Sequence, residues 1–242
     1  MISFHYFTHE KIWDGGAQFL IQKLKERSEK KLIFLSGGSV VRLYKTLGAI
    51  VNGGEIDSSR IAFAQADERF QPEDKNDVNA VSIERTGLWE VCKKKNIPYY
   101  LISQEGTLGN SARQYNKTIS KFLGEYPFHL GILGVGEDGH TAGLLPGYER
   151  LWNIDRFIVG YEIEKRQNET AVFKKRVTLT PKTLYALDYA LVVASGVKKQ
   201  EALEKVCKKE NRDTIDAYPA ALLQKIEKVD LFTDIHLPDL LQ

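Results

Sequence analysis

Gly134-Val135-Gly136-Glu137-Asp138-Gly139-His140-Thr141-Ala142 follows directly on the short run Leu130-Gly131-Ile132-Leu133. That run is continuously apolar, as a strand covered on both faces requires. The segment after it packs three glycines, two carboxylates and a histidine into one sharp turn. A strand ending in such a turn sets an imidazole at the carboxyl edge of a sheet. Open α/β sheets bind their ligands at that edge.

Similar runs lie on either side of this one. Leu32-Ile33-Phe34-Leu35 and Ile61-Ala62-Phe63-Ala64 are continuous, residues 189–194 are almost wholly apolar, and Val177-Thr178-Leu179 alternates. The segments between carry a helical period: Trp13, Ala17, Leu20 and Leu24 share one face, as do Ala112, Tyr115, Ile119 and Phe122. Thr180-Pro181 reads as an N-cap followed by proline at the first helical position. Asn52-Gly53-Gly54 reads as a turn. Strands alternating with helices predict an α/β fold, a three-layer α/β/α sandwich around a mostly parallel, Rossmann-like sheet. No repeat or composition shift marks a boundary, so residues 1–242 are read as a single domain.

Composition narrows the function classes. The chain has 242 residues, 43% hydrophobic and 27% charged, with a formal net charge of +2. Such balance argues against a nucleic-acid footprint spread over the surface and leaves room for a local basic pocket. Cys92 and Cys207 are far apart and read as buried or partly buried thiols in a reducing compartment. No metal-ligand spacing is present. Residues 1–10 lack the pattern of a signal peptide, and no apolar run approaches the ~20 residues of a membrane span. A soluble, cytoplasmic protein is expected.

Several segments could carry chemistry. Ser36-Gly37-Gly38-Ser39 follows a strand and opens the helix through Leu43, Leu47 and Ile50. Its glycines and the helix N-terminus suit a phosphate cradle. The same residues also suit a tight turn with Ser39 as N-cap. Asp67-Glu68-Arg69 at a strand end can orient a substrate, or form a solvated surface ion pair. Histidine ordinarily titrates near neutrality, and His140 alone of the five histidines has a ligand-edge setting. His5, His9 and His236 lie near the termini, and His129 begins the strand before the glycine turn. Arg176 starts a strand. Lys199 falls in the first turn of a helix after Ser195-Gly196, where the helix dipole does not favour a cation. A solvated face or a nearby bound anion accounts for it.

These motifs occur together and in one order. Ser36-Gly37-Gly38-Ser39 comes first, then Asp67-Glu68-Arg69 with Asn79 shortly after. The Gly134–Gly147 block ending in Leu-Leu-Pro-Gly follows, then Arg176-Val177-Thr178-Leu179-Thr180, then Ser195-Gly196-Val197-Lys198-Lys199. The set resembles the 6-phosphogluconolactonase family. It is similar more widely to the superfamily of glucosamine-6-phosphate deaminase, ribose-5-phosphate isomerase and CoA-transferases. Pro219-Ala220-Ala221-Leu222 and a closing strand near residues 229–234 also fit the family's C-terminal end.

The resemblance implies hydrolysis of 6-phospho-D-glucono-1,5-lactone without a metal or other cofactor. It implies that Ser36, Gly37, Gly38, Ser39, Arg176 and Lys199 hold the phosphate and that His140 is the general base. Arg69 would steady the oxyanion or the sugar hydroxyls. Asp138 would orient His140, and Asp67 the loop or a substrate hydroxyl. The implied partner is a small-molecule phosphosugar lactone, with no nucleic acid and no membrane, for a monomer or small homo-oligomer. The rivals are a glucosamine-6-phosphate deaminase or isomerase, and a non-catalytic phosphosugar sensor. The deaminase pattern has a glutamate five residues after the histidine, where this chain has Leu145, and usually a tyrosine at Arg69. Val40, Val78 and His129 depart from the lactonase pattern, which has proline, serine and often aspartate there.

Overall fold

Each continuous apolar run becomes a central strand, because a strand with both faces covered exposes no side to water. The computed structural model describes residues 2–163 and 173–237. In chain order it has β1 (Ile2–Tyr6), α1 (Ile12–Lys25), β2 (Lys31–Leu35), α2 (Arg42–Gly53), β3 (Ile61–Gln65), β4 (Asp67–Arg69), α3 (Asn79–Glu84), α4 (Leu88–Lys95) and β5 (Tyr99–Tyr100). Next come α5 (Leu108–Glu125), β6 (Phe128–Gly134), α6 (Glu149–Trp152), β7 (Ile158–Glu162), β8 (Lys175–Leu179), α7 (Pro181–Tyr185), β9 (Tyr189–Ala194), α8 (Gln200–Cys207) and β10 (Val229–Thr233).

Seven strands form one parallel sheet in the order β1-β10-β9-β6-β2-β3-β5. Successive side chains on each strand point to opposite faces. Ile33, Leu35, Phe63, Ile132, Leu191 and Val193 therefore pack with α1, α2 and α4 in one core. Leu32, Phe34, Ala64, Leu133, Ala190 and Val192 pack with α5, α7 and α8 in the other. The three-layer arrangement follows from that division. All four residues of the helical stripe Trp13, Ala17, Leu20 and Leu24 are buried.

The alternating run 177–179 does not join the parallel sheet. It is part of β8, in a separate three-stranded antiparallel sheet of order β4-β8-β7. Val177 and Leu179 face the second core, and Arg176 and Thr178 face the other way, as the two-residue period of a half-covered sheet dictates. Thr180 does occupy the N-cap position of α7, with Pro181 following. Its hydroxyl donates to the Arg156 carbonyl instead of capping the helix. Gly54, with φ of 79°, ends α2 in the left-handed conformation that glycine adopts freely.

The sheet order places a topological switch between β2 and β6. From β2 the chain passes through α2 to β3 on one side, and from β6 it passes to β9 on the other. The loops after β2 and β6 thus diverge and leave a crevice at the carboxyl edge. Among the described residues, no helix is long and apolar enough to cross a membrane.

Phe34 is fully buried in β2. Its replacement by alanine is expected to cost about 3–5 kcal/mol. The check is urea unfolding: the midpoint should fall while the slope holds.

Candidate active site

The turn after β6 is closed by its own backbone. Gly136 N–H donates to the His140 carbonyl at 2.9 Å, and Gly139 N–H donates to Gly136 at 3.1 Å. The Thr141 hydroxyl donates back to the Gly134 carbonyl at 2.9 Å. Ala220, from the C-terminal segment, donates its N–H to Gly139 at 2.9 Å. Asp138 Oδ1 accepts from the His140 backbone N–H at 3.1 Å and lies 2.5 Å from His140 Nδ1. That contact sets Nδ1 as the protonated nitrogen and leaves Nε2 open to a ligand. Burial pushes the Asp138 carboxyl up, yet these bonds and the imidazole beside it outweigh burial and lower its pKa. A Cβ on Gly136 would lie 2.1 Å from His140 Nδ1, so the pair needs glycine there.

The loop after β2 is tied to the same edge. Ser36 N–H donates to Ile132 of β6 at 3.1 Å, and Tyr44 O–H donates to the Ser36 carbonyl at 2.7 Å. The Ser36 hydroxyl is buried and has no hydrogen-bond partner among the described residues. Gly37 lies so close to Asn79 that a Cβ would come within 2.1 Å of the amide oxygen. Ser39 is not an N-cap. It sits inside the 3₁₀ turn Gly38–Val41, whose N-cap position is Gly37, and its hydroxyl accepts from Lys199 Nζ at 3.2 Å. Burial holds the Lys199 ammonium below its ordinary value, with Glu137 and Asp234 opposing.

Asp67-Glu68-Arg69 is a strand rather than a loop, and its pleat sorts the three side chains. Asp67 and Arg69 share one face, opposite Thr178 and Arg176 of β8. Two arginines directly opposite each other are destabilising unless an anion lies between or beside them. Burial and the like charge of Arg176 both lower the Arg69 pKa. Arg69 Nη1 donates to the Asp77 carbonyl at 2.7 Å, and its guanidinium stands 4.3 Å over the Phe173 ring. Arg176 Nε is buried without a partner among the described residues. Burial raises the Asp67 pKa, and the charges of Arg176, His140 and Arg69 offset it only in part. Asn79 Nδ2 holds Asp67 through Oδ2 at 3.1 Å.

Glu68 points the other way and builds the wall. Its Oε1 accepts from Arg69 N–H at 2.8 Å and Asn79 N–H at 2.5 Å. Its Oε2 accepts from Gln65 Nε2 at 2.7 Å and Ala80 N–H at 2.8 Å. Val78, at the N-cap position of α3, offers no side-chain acceptor, and Glu68 supplies it instead. Burial pushes the Glu68 carboxyl up to about 7 against these donors.

A cleft of about 360 Å³ joins these parts. Ser36, Gly37, Gly38, Ser39, Asp67, Arg69, His140, Arg176 and Lys199 all line it, and Asp138 stands behind His140. Asn79, Glu137 and Ala142 also line it, and no local sequence signal assigns them a role. Ala142, at φ of 48°, holds a left-handed conformation uncommon for a non-glycine residue. His129 lies at the far end of β6, its ring against the carbonyls of Ala186 and Leu123. Leu145 is only 7% exposed and packs in the core.

The cleft lies at the switch point of a mostly parallel α/β sheet, with His140 backed by Asp138 on one wall and Arg69, Arg176 and Lys199 around it. The chain belongs to the glucosamine-6-phosphate isomerases/6-phosphogluconolactonase family, whose model matches residues 8–232. It is 30% identical over 188 residues to a 6-phosphogluconolactonase of Xylella fastidiosa, covering 76% of this chain and 74% of that one. It is 22% identical over 227 residues to a glucosamine-6-phosphate deaminase of Staphylococcus saprophyticus, covering 89% of each. The fold matches the solved 6-phosphogluconolactonase from Plasmodium vivax with a TM-score of 0.80 at 19% identity, covering 96% of this chain and 90% of that one.

Replacing Glu68 by glutamine turns an amide N–H₂ toward buried donors. At pH 8, where the carboxyl is charged, the expected loss is about 1–3 kcal/mol. Thermal unfolding of the two proteins at that pH measures it.

Proposed function

We propose that the cleft hydrolyses 6-phospho-D-glucono-1,5-lactone to 6-phosphogluconate, the lactonase step of the oxidative pentose phosphate pathway, in a single hydrolase domain. The observation that carries this reading is the His140–Asp138 pair opening onto a cleft whose Arg176 Nε and Ser36 hydroxyl lack partners among the described residues. Those donors, the Ser36–Ser39 loop and Lys199 suit a phosphate dianion, for which charge-assisted bonds are the strong ones. Anchoring the phosphate fixes the distal lactone carbonyl, so binding becomes orientation.

His140 Nε2 takes a proton from water as the water oxygen attacks the lactone carbonyl carbon. The imidazolium that forms is steadied by Asp138. The carbonyl electrons move onto oxygen, where Arg69 offsets the negative charge. The intermediate collapses, the bond to the ring oxygen breaks, and His140 returns its proton to that oxygen. A lactone carbonyl is electrophilic enough that this sequence calls for no metal and no covalent nucleophile. Asp67, clamped by Asn79, orients a substrate hydroxyl. The free thiols Cys92 and Cys207 support a reducing, cytoplasmic setting.

The deaminase reading is the weaker one, since the position five residues past His140 is a core leucine.

Alanine at His140 is expected to lower kcat/KM about 10²–10⁴-fold while 6-phosphogluconate still binds. A coupled assay corrected for spontaneous hydrolysis tests this; unchanged turnover would overturn the base assignment, and ammonia release from glucosamine 6-phosphate would favour the deaminase. A non-catalytic sensor would bind tightly without hydrolysis in the wild type.

The pH dependence of binding has a definite sign. The Lys199 charge is present below its lowered pKa and lost as pH rises through it. Affinity for 6-phosphogluconate should therefore decline before the ordinary lysine range is reached. Lys199→Arg should move that decline upward, which calorimetry across an alkaline pH series would show.

A further inference from the structure

We propose that Asp234 is a positioning residue for Lys199, pinning the loop that carries this lysine to the end of β10. The inference rests on the reading of the cleft as a phosphosugar site. β9 and β10 are paired neighbours with Ala194 opposite Thr233. The residues that follow, Ser195 and Asp234, therefore emerge side by side at the carboxyl edge. Asp234 Oδ1 accepts from Gly196 N–H at 2.8 Å, and Oδ2 accepts from the Ser195 hydroxyl at 2.7 Å. His9, at the same edge, places Nδ1 3.0 Å from Asp234 Oδ2 and 2.8 Å from Ser195 Oγ. Gly196 then turns the chain at φ of 99°, and its carbonyl accepts from Lys199 N–H at 2.9 Å.

Apolar packing does not hold this loop. Val197 is 77% exposed, and none of residues 195–199 is buried. Its placement depends on polar bonds, and Asp234 accepts two of them. Asp234 does not line the cleft, so it acts on a ligand there indirectly, and the Lys199 loop is the cleft-lining segment it holds through two accepted bonds. The Lys199 ammonium must stay beside Ser39 to meet a phosphate, and a lysine stem on an untethered loop samples many positions instead.

The test is a double-mutant cycle in the full chain with Asp234→Ala, Asp234→Asn and Lys199→Ala. Lactonase kinetics are read beside calorimetric binding of 6-phosphogluconate and of unphosphorylated gluconate. Asp234→Ala is expected to raise KM and the 6-phosphogluconate dissociation constant about tenfold while kcat changes less than about twofold, the pattern of lost uniform binding. Gluconate binding should not move. Asparagine keeps an acceptor for Gly196 N–H and should recover part of the loss. In the Lys199→Ala background the Asp234 change should cost nothing further, because coupled residues are non-additive. Additive losses, or a kcat effect at constant KM, would overturn the proposal. If Asp234→Ala does not fold, Ser195→Ala removes one of the two bonds and carries the same cycle. A wild type that binds no 6-phosphogluconate would overturn the phosphosugar reading and this inference with it. A loss with Lys199→Ala but none with Asp234→Ala would overturn this inference alone.

Discussion

The pairing of β2 with β6 is the constraint on which the site depends. The two strands are parallel neighbours through five registered residues, from Lys31 opposite Phe128 to Leu35 opposite Ile132. Ser36 N–H extends the ladder one step further by donating to Ile132. The connections that follow leave toward opposite halves of the sheet, so neither loop can cover the other. One loop brings Ser36–Ser39 and the other His140 to the same cleft at one edge. Both loops need glycine, because Asn79 fills the space beside Gly37 and His140 fills the space beside Gly136. A methyl group at either position would push aside a side chain that faces the cleft.

Around that crevice the fold gathers cations it does not fully neutralise. Arg69 and Arg176 face each other across the β4–β8 ladder, and Lys199 approaches from the β9 side. Burial lowers the pKa of both Arg69 and Lys199, which means that the site disfavours its own positive charges. Asp67 answers part of that charge but is raised by burial itself. A bound dianion would offset all of these at once. On the proposed reading this is the electrostatic reason for a phosphate rather than a neutral sugar, whose hydroxyls could satisfy Arg176 Nε and Ser36 but would leave the charges unanswered.

The parallel sheet was legible because its strands carry uninterrupted apolar runs, such as Leu32 to Leu35, that no half-exposed element needs. The small sheet was not legible, because β4 is the polar tripeptide Asp67-Glu68-Arg69. No hydrophobic period marks it, and only pairing with β8 makes it a strand. The site residues were legible as motifs, yet their division of labour was not. Glu68 looks like its neighbours in the sequence but faces away from them to cap α3 in place of the absent serine at Val78. His9 looked uninformative for lying near the terminus, and parallel pairing of β1 with β10 carries it to the carboxyl edge beside Asp234. Such relations between residues far apart in sequence come from strand order, which local patterns do not encode.

On the resemblance drawn from the sequence, the lactonase and deaminase readings part at Leu145. Its side chain is in the core, and its backbone is fixed on both sides: the N–H donates to the Tyr161 hydroxyl at 3.2 Å and the carbonyl accepts from Trp152 Nε1 at 3.0 Å. A carboxylate placed there without other changes would be buried among apolar groups, where an unpaired charge is costly. Among the described residues, Asp67 and Glu137 are the carboxylates that line the cleft. Asp67 is already engaged by Asn79, and Glu137 stands near Lys199 rather than in a pair with His140. On the proposed mechanism the site therefore offers one supported base, His140 backed by Asp138. Opening a sugar ring and moving a proton between carbons asks for a second proton carrier. Attack of water on an ester that is already electrophilic does not, and this difference in proton bookkeeping favours lactone hydrolysis on a scaffold that both reactions share.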